Sequence, residues 1–278
     1  MAFWYDEVFE DRTRYGVKVE RVLFSGASEY QKIEILETAQ FGPILVLDGV
    51  FMTGEGEEHF YHEMLVQPAM TTAPRIARVL LVGGGDGGAV REILRHPEVE
   101  RLTVVELDGM VVEACRTHMP SVASAWGDPR VELVIGDGVV FVGDREPGIF
   151  DVIVVDGCDP VGWSAGLYGE PFFRACARCL AADGVLAAQT ASPILQREVF
   201  LATQRVLGGV FARVAPCFGP APLYASGQWS WTLASRDHDH TAVDERRAAR
   251  IEAVSRYWNR EIHRAAFALP SDLKRLLG

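Results

Sequence analysis

A chain of 278 residues, 49% hydrophobic and 23% charged, is an ordinary globular mixture: one large domain, or one domain with a smaller appendage. This composition excludes disorder along the whole chain and rod-like collagen or coiled-coil architectures. With 27 Lys+Arg against 38 Asp+Glu the formal net charge is −11, which argues against sequence-independent binding of nucleic acid and suits a cationic small molecule.

The residues from Met1 to Arg14 carry several acids and lack the basic and apolar regions of a secretory signal. No apolar run approaches the ~18 residues needed to span a bilayer. The five cysteines, Cys115, Cys158, Cys176, Cys179 and Cys217, fit a reducing compartment better than a disulfide framework. A soluble, cytoplasmic protein without a membrane partner is expected. Residues 1–74 read as a small N-terminal β domain. Val17–Phe24 alternates in places, Gln31–Leu36 alternates polar and apolar, and Pro43–Leu47 is a short apolar run, with Gly42 and Asp48-Gly49 as turn signals. Tyr61–Met70 then reads as a helix, and Thr71–Pro74 as a boundary.

The pattern changes over residues 75–278. Ala77–Val82, Leu102–Glu106, Val131–Ile135, Phe150–Val155 and Gly184–Gln189 are apolar runs of strand length. Helical stretches separate most of them, including Ala89–His96, Gly109–Met119 and Pro171–Ala182. Such alternation predicts an α/β fold with a doubly wound parallel sheet covered on both faces. Ala212–Pro216 and Trp229–Ala234 suit a closing antiparallel hairpin, and Val243–Tyr257 a charged helix. The pair Cys176 and Cys179 falls inside a predicted helix with no second pair beside it. It reads as two small buried side chains rather than a zinc or redox centre, and no metal is expected. His238-Asp239-His240 looks metal-like but reads as a solvated loop.

Gly83-Gly84-Gly85-Asp86-Gly87-Gly88 directly follows a predicted strand and opens a helix, the context in which glycines permit close approach of a nucleotide. Glu106 ends the next strand, 20 residues after Asp86, where a carboxylate can accept both hydroxyls of a ribose. Asp137-Gly138 ends the third strand, where an acid can accept from an adenine amino group. Together they describe an adenosine site. Asp86 and the lack of Lys in the loop disfavour phosphates. A sulfonium nucleoside whose tail keeps only an ammonium suits Asp86 better than one that also carries a carboxylate. Helix caps and a tight turn are the alternative reading of these acids.

Asp156-Gly157-Cys158-Asp159-Pro160 follows the fourth strand. Two carboxylates three residues apart at a strand end can hold a cation or take up a proton. If the substrate is an alkylamine, with a pKa of about 10.4 like that of lysine, it attacks only after losing a proton, and one acid can then serve as base while the other anchors the chain; a turn acid and a helix cap are the other reading of the pair. Tyr61 and His62, in a polar stretch rich in aromatics, are candidates to orient the amine.

At these residues the sequence resembles the spermidine synthase family, the polyamine aminopropyltransferases. The resemblance covers nearly the whole chain. It runs through Ser28-Glu29-Tyr30-Gln31, Leu45-Val46-Leu47-Asp48-Gly49-Val50, Tyr61-His62-Glu63-Met64, Gly83–Gly88, Asp156–Pro160 and Leu223-Tyr224-Ala225-Ser226-Gly227. It implies a Rossmann-like catalytic domain of the class I methyltransferase type carrying a small N-terminal β domain, and transfer of an aminopropyl group from decarboxylated S-adenosylmethionine to a diamine, by default putrescine, with release of methylthioadenosine. No prosthetic group is implied. Carried over residue by residue, Gln31 and Glu106 would hold the nucleoside and Asp137 and Gly138 the adenine. Asp86 would take the aminopropyl amine, and Asp156 would accept the proton. Tyr61 and His62 would position substrate, Asp159 would lie on the diamine side, and Tyr224 would close the amine channel. The family also implies a homodimer or homotetramer. Trp4 and Tyr5 are candidates for an aromatic wall of the amine site or for an interface.

The sequence departs from the family in Asp159-Pro160-Val161-Gly162-Trp163-Ser164-Ala165, where Trp163 replaces a proline and Ala165 an acid. A differently shaped gate loop is expected. Two other readings stay open on sequence: a methyltransferase using intact S-adenosylmethionine, and a non-catalytic protein that binds a nucleoside or polyamine.

Overall fold

The computed structural model describes residues 2–9, 11–160 and 162–277; Met1, Glu10, Val161 and Gly278 lie outside the described residues. Two sheets organise the chain. The first is an antiparallel meander of β1 (Phe3–Phe9), β2 (Thr13–Ala27), β3 (Lys32–Thr38), β4 (Gly42–Leu47) and β5 (Val50–Gly54), paired in that order. Its middle strands are buried on both faces. Ile33 and Ile35 of β3 and Leu45 and Leu47 of β4 face the main core, while Leu36, Ile44 and Val46 face a smaller one with Val17, Val19, Phe51 and Leu223. Period-2 alternation produces this division, because successive side chains point to opposite faces. Asp48 and Gly49, at φ 48° and 87°, form the two-residue turn joining β4 to β5. The sheet curls until its edge strands touch: Glu7 Oε2 of β1 accepts from the Phe51 N–H of β5 at 2.9 Å, and the Tyr5 and Phe51 rings lie 5.9 Å apart.

The second sheet has seven strands in the order β11-β12-β10-β9-β6-β7-β8. These are β6 (Arg78–Gly83), β7 (Arg101–Glu106), β8 (Val131–Ile135), β9 (Phe150–Asp156), β10 (Leu180–Gln189), β11 (Arg213–Pro220) and β12 (Gln228–Ser235). β6 to β10 are parallel, and β12 lies antiparallel between β10 and β11, the predicted hairpin. Chain order reverses between β6 and β9, the position where open α/β sheets bind ligands at their carboxyl ends.

Nine α-helices are described: α1 (His59–Thr72), α2 (Gly88–Leu94), α3 (Gly109–His118), α4 (Gly138–Gly143), α5 (Glu170–Cys179), α6 (Arg197–Val210), α7 (Glu245–Glu252), α8 (Arg260–Ala266) and α9 (Ser271–Leu277), with a 3-10 helix at Gly162–Tyr168. Val79, Leu81, Val152 and Val154 turn toward α1, α2 and α3. Leu80, Val82, Ile153 and Val155 turn toward Phe172, Phe173, Cys176 and Cys179 of α5 and Leu207 of α6. The two cysteines are thus free thiols packed in a core face. α1, which follows the five-stranded sheet in sequence, is almost wholly buried against the seven-stranded one and α2.

Several elements differ from expectation. α5 stops at Cys179 rather than Ala182, because Leu180 is drawn into pairing with Phe150. The helix expected over Val243–Tyr257 is confined to α7, Glu245–Glu252, which Asp244 caps; α8, capped by Asn259, begins beyond the expected span. His240 is buried rather than solvated, with Nε2 3.2 Å from Ser235 Oγ and its carbonyl 2.9 Å from His263 Nε2. No group of described side chains is arranged to hold a metal ion, and no described helix is long and apolar enough to cross a membrane.

Candidate active site

The glycine turn joins β6 to α2 beside the end of β9. Gly83 has φ 83°, and a Cβ there would lie 2.1 Å from the Asp156 carbonyl oxygen, so only glycine allows β6 and β9 to finish this close together. The turn carries Asp86 to the strand ends. Its Oδ1 accepts from the Gly88 N–H at 2.8 Å, and its Oδ2 lies 3.3 Å from His62 Nε2. The closeness of Asp86 and Asp156 follows from the register Gly83↔Asp156.

Asp156, the last residue of β9, accepts a hydrogen bond from the Tyr61 hydroxyl at 2.8 Å. Burial pushes its pKa up to about 6; Asp86 adds to the rise, while His62 and the Tyr61 hydrogen bond oppose it. Burial, reinforced by Asp156, holds the Tyr61 hydroxyl well above the usual phenol range, so it remains a donor. Glu106, at the end of β7, is pushed by burial to about 7 against the hydrogen bond from the Asp108 N–H. Burial also works to raise Asp86, yet the His62 charge and hydrogen bond hold it below the ordinary aspartate range.

Two adjoining cavities meet at Tyr61. One, of about 540 Å³ and partly open to solvent, is lined by Gln31, Asp86, Glu106 and Asp156. The other, of about 530 Å³, is lined by Glu7, Phe51, Asp159, Gln189, Gln196 and Trp229. Met52, Tyr61, Gly157, Cys158 and Tyr224 line both. The Tyr224 hydroxyl is tied to the Met52 carbonyl at 2.7 Å, which joins the end of the β11–β12 loop to the five-stranded sheet. One acidic cleft is therefore divided into two halves of similar size, one over the glycine turn and one, lined by acids and aromatic rings, beside it.

Two models of known families match this chain. Residues 58–245 match the spermine/spermidine synthase domain, and residues 3–55 match the spermidine synthase tetramerisation domain. A polyamine aminopropyltransferase of Thermoanaerobacter sp. (strain X514) is 38% identical over 274 residues, covering 99% of this chain and 98% of that relative. Another, of Prochlorococcus marinus (strain MIT 9313), is 41% identical over 277 residues, covering 99% and 96%. The chain belongs to the spermine/spermidine synthase family.

Solved members of the family share its fold closely. Spermidine synthase in complex with the transition-state analogue AdoDATO superposes with a TM-score of 0.96 at 37% identity, covering 99% of this chain and 95% of that one. The Thermotoga maritima spermidine synthase gives 0.94 at 37% identity, covering 99% and 94%. Within this family frame the sequence-derived residues fall into three groups. Gln31, Asp86, Glu106, Asp156, Asp159, Tyr61 and Tyr224 line the cleft. Asp137 and Gly138 line neither cavity: Asp137 stands exposed at the end of β8, with Oδ1 capping α4 through the Val139 and Val140 N–H groups. His62 is only 1% exposed, with both ring nitrogens engaged by carboxylates, so it backs Asp86 instead of facing the cleft. Trp4 is 68% exposed and lines neither cavity, and the Tyr5 hydroxyl donates to Glu34. Trp163 is exposed and packs edge-on against Tyr30 with ring centroids 5.6 Å apart.

Sequence reasoning missed three contributors. Glu7 enters the second cavity from β1, far from any motif, and burial together with Asp159 raises its carboxyl pKa. Gln196 Nε2 donates to Asp159 Oδ2 at 2.5 Å. Asp108 accepts from Gln31 Nε2 at 3.0 Å and Ser28 Oγ at 2.7 Å while capping α3. Only Asp108 had a signal, an acid directly before a glycine that opens a helix.

Proposed function

We propose that this member of the family transfers the aminopropyl group of decarboxylated S-adenosylmethionine to putrescine, giving spermidine and methylthioadenosine. The observation that carries this reading is the pair of adjoining acidic cavities with Asp156 and Tyr61 between them. The half over the glycine turn takes the nucleoside: Glu106 holds the ribose hydroxyls and Gln31 assists. Asp137 and Gly138, at the end of β8 on the same sheet edge, receive the adenine. Asp86 takes the ammonium of the aminopropyl chain. The other half takes the acceptor, with one nitrogen at Asp156 and the distal ammonium near Asp159 and Glu7, between the rings of Tyr61, Tyr224 and Trp229.

The reaction is a direct displacement. The neutral amine attacks the aminopropyl carbon next to the sulfonium, a C–N bond forms, and the C–S bond breaks with its electron pair going to sulfur. Methylthioadenosine leaves as a neutral thioether, and the proton of the attacking amine passes to the Asp156 carboxylate. Fixed carboxylates offset the repulsion between two cations held end to end, and holding both in line supplies much of the rate. Tyr61 fixes the orientation of Asp156 through its hydrogen bond. The enzyme works as a cytoplasmic homodimer or homotetramer in this reading, and the match of residues 3–55 to the tetramerisation model favours four copies.

The acceptor is tested by supplying decarboxylated S-adenosylmethionine with equimolar putrescine, cadaverine, agmatine and 1,3-diaminopropane and identifying products by mass spectrometry. One methylene is worth only about 1–3 kcal/mol, so a preference rather than exclusion is expected. Spermidine as the dominant product supports the proposal. Dominance of another aminopropylated amine overturns putrescine, and methylation of an amine from intact S-adenosylmethionine overturns the transfer itself.

A further inference from the structure

A line of alternating charges lies behind Asp86, between α1 and α2. His62 Nε2 is 3.3 Å from Asp86 Oδ2, and His62 Nδ1 is 2.7 Å from Glu58 Oε2. One guanidinium nitrogen of Arg91, Nη2, is shared between both Glu58 oxygens, at 2.9 Å and 2.8 Å, and Glu92 Oε1 at 2.9 Å, while Nε donates to Glu92 Oε1 at 3.2 Å. Glu58, His62 and Glu92 are buried. Room for the imidazole is made by a missing side chain: a Cβ on Gly88 would lie 2.3 Å from the ring. The ring is therefore wedged between the first residue of α2 and the carboxylates of Glu58 and Asp86.

Buried charges are costly, and well-packed apolar side chains fill such space at no loss of stability. A line of ions kept here, ending on a carboxylate that faces the cleft, has its use at that end. We propose that Glu58 and Arg91 are positioning residues: acting through the His62 imidazolium, they fix the Asp86 carboxylate, ionised and correctly turned, for the aminopropyl ammonium of the donor. Arg91 pins both oxygens of Glu58, Glu58 pins the ring, and the ring leaves Asp86 one oxygen bonded to Gly88 and one directed by His62. Burial opposes the charge on His62, but Asp86 and Glu58 together keep it protonated well above the ordinary histidine range. Glu58 is likewise held down to about 2 by His62 and Arg91 against its burial. This inference rests on the functional reading above, since it assigns Asp86 the donor's ammonium.

The test compares two ligands that differ in that ammonium. Methylthioadenosine has the nucleoside and no aminopropyl chain; decarboxylated S-adenosylmethionine has both. Affinities are measured by calorimetry for the wild type, Glu58→Gln and Arg91→Lys, with thermal melts as a control. Glu58→Gln removes a charged partner of the His62 imidazolium, so it should weaken the donor about tenfold and leave methylthioadenosine within about twofold. Arg91→Lys keeps the charge, loses the contacts of Nε with Glu92 and of Nη1 with the Ser121 carbonyl that hold the guanidinium in place, and should shift the donor in the same direction by less. Parallel weakening of both ligands would reduce the line of ions to a structural role, and no change in either would show that it does not act on Asp86. If Glu58→Gln fails to fold, Arg91→Lys makes the same comparison. A wild type that binds the donor but transfers nothing removes the functional reading and leaves the binding comparison intact.

Discussion

Asp156 and Tyr61 share one hydrogen bond, and the proposed proton transfer depends on it. Burial lifts Asp156 to about 6, so below that pH the carboxyl is protonated and the proposed transfer of the amine's proton to it stops. kcat/KM for the acceptor is expected to fall about tenfold per pH unit below an acidic limb near that value, as a single essential base requires. Tyr61→Phe deletes a hydrogen bond that favours the charged carboxylate, so the limb should move to higher pH and kcat should drop about tenfold or more. A pH–rate profile of both proteins checks the pair; an unmoved limb in the variant would mean that the Tyr61 hydroxyl does not act on Asp156. Not every acid legible in the sequence keeps a single role. Asp137 spends one oxygen capping α4, and His62 faces carboxylates instead of the cleft.

Elements that could be read from the sequence are those whose burial repeats along the strand. β6 and β9 are covered on both faces and so read as unbroken apolar runs, and the turn after β6 is marked by glycines that the backbone requires. β1 is half exposed, and although its burial alternates from Trp4 to Phe9 its residue types do not, so it escaped notice; so did Glu7, which reaches the cleft only because the first sheet curls until β1 meets β5. That long-range closure leaves no local trace. α4 escaped because Gly138–Gly143 is short and apolar enough to pass for a strand, and its helical state depends on the Asp137 cap. Two predictions belong at this scale. Gly83→Ala places a Cβ against the Asp156 carbonyl at positive φ, and should cost at least about 2 kcal/mol in denaturant unfolding. Trp163 joins the 3-10 helix after β9 to Tyr30, beside Gln31. An aromatic pair of this kind is worth about 0.5–1.5 kcal/mol, so Trp163→Ala should raise the donor KM about two- to tenfold with little change in melting temperature. Unchanged donor KM would mean that the Trp163–Tyr30 contact does not help to close the loop over the nucleoside.

Across the whole molecule, the site is assembled from both sheets. The five-stranded sheet contributes Glu7 and Met52, with Gln31 from its β2–β3 connection, and the seven-stranded sheet contributes Glu106 and Asp156, with Asp86 and Asp159 from the turns that follow β6 and β9. The net charge of −11 suits attraction of a diamine that carries two positive charges, and the cleft concentrates that charge where carboxylates converge. Association with such an acceptor should therefore slow as salt screens the field, with the Debye length falling from about 10 Å at 0.1 M to about 3 Å at 1 M. The account depends most on one step, transfer of the amine's proton to Asp156 as the aminopropyl carbon is attacked. The most direct measurement compares wild type and Asp156→Asn, following methylthioadenosine release from decarboxylated S-adenosylmethionine and putrescine, with methylthioadenosine affinity measured in parallel. The account predicts that the variant loses turnover while still binding the nucleoside as the wild type does. Turnover near the wild-type rate in Asp156→Asn would contradict it.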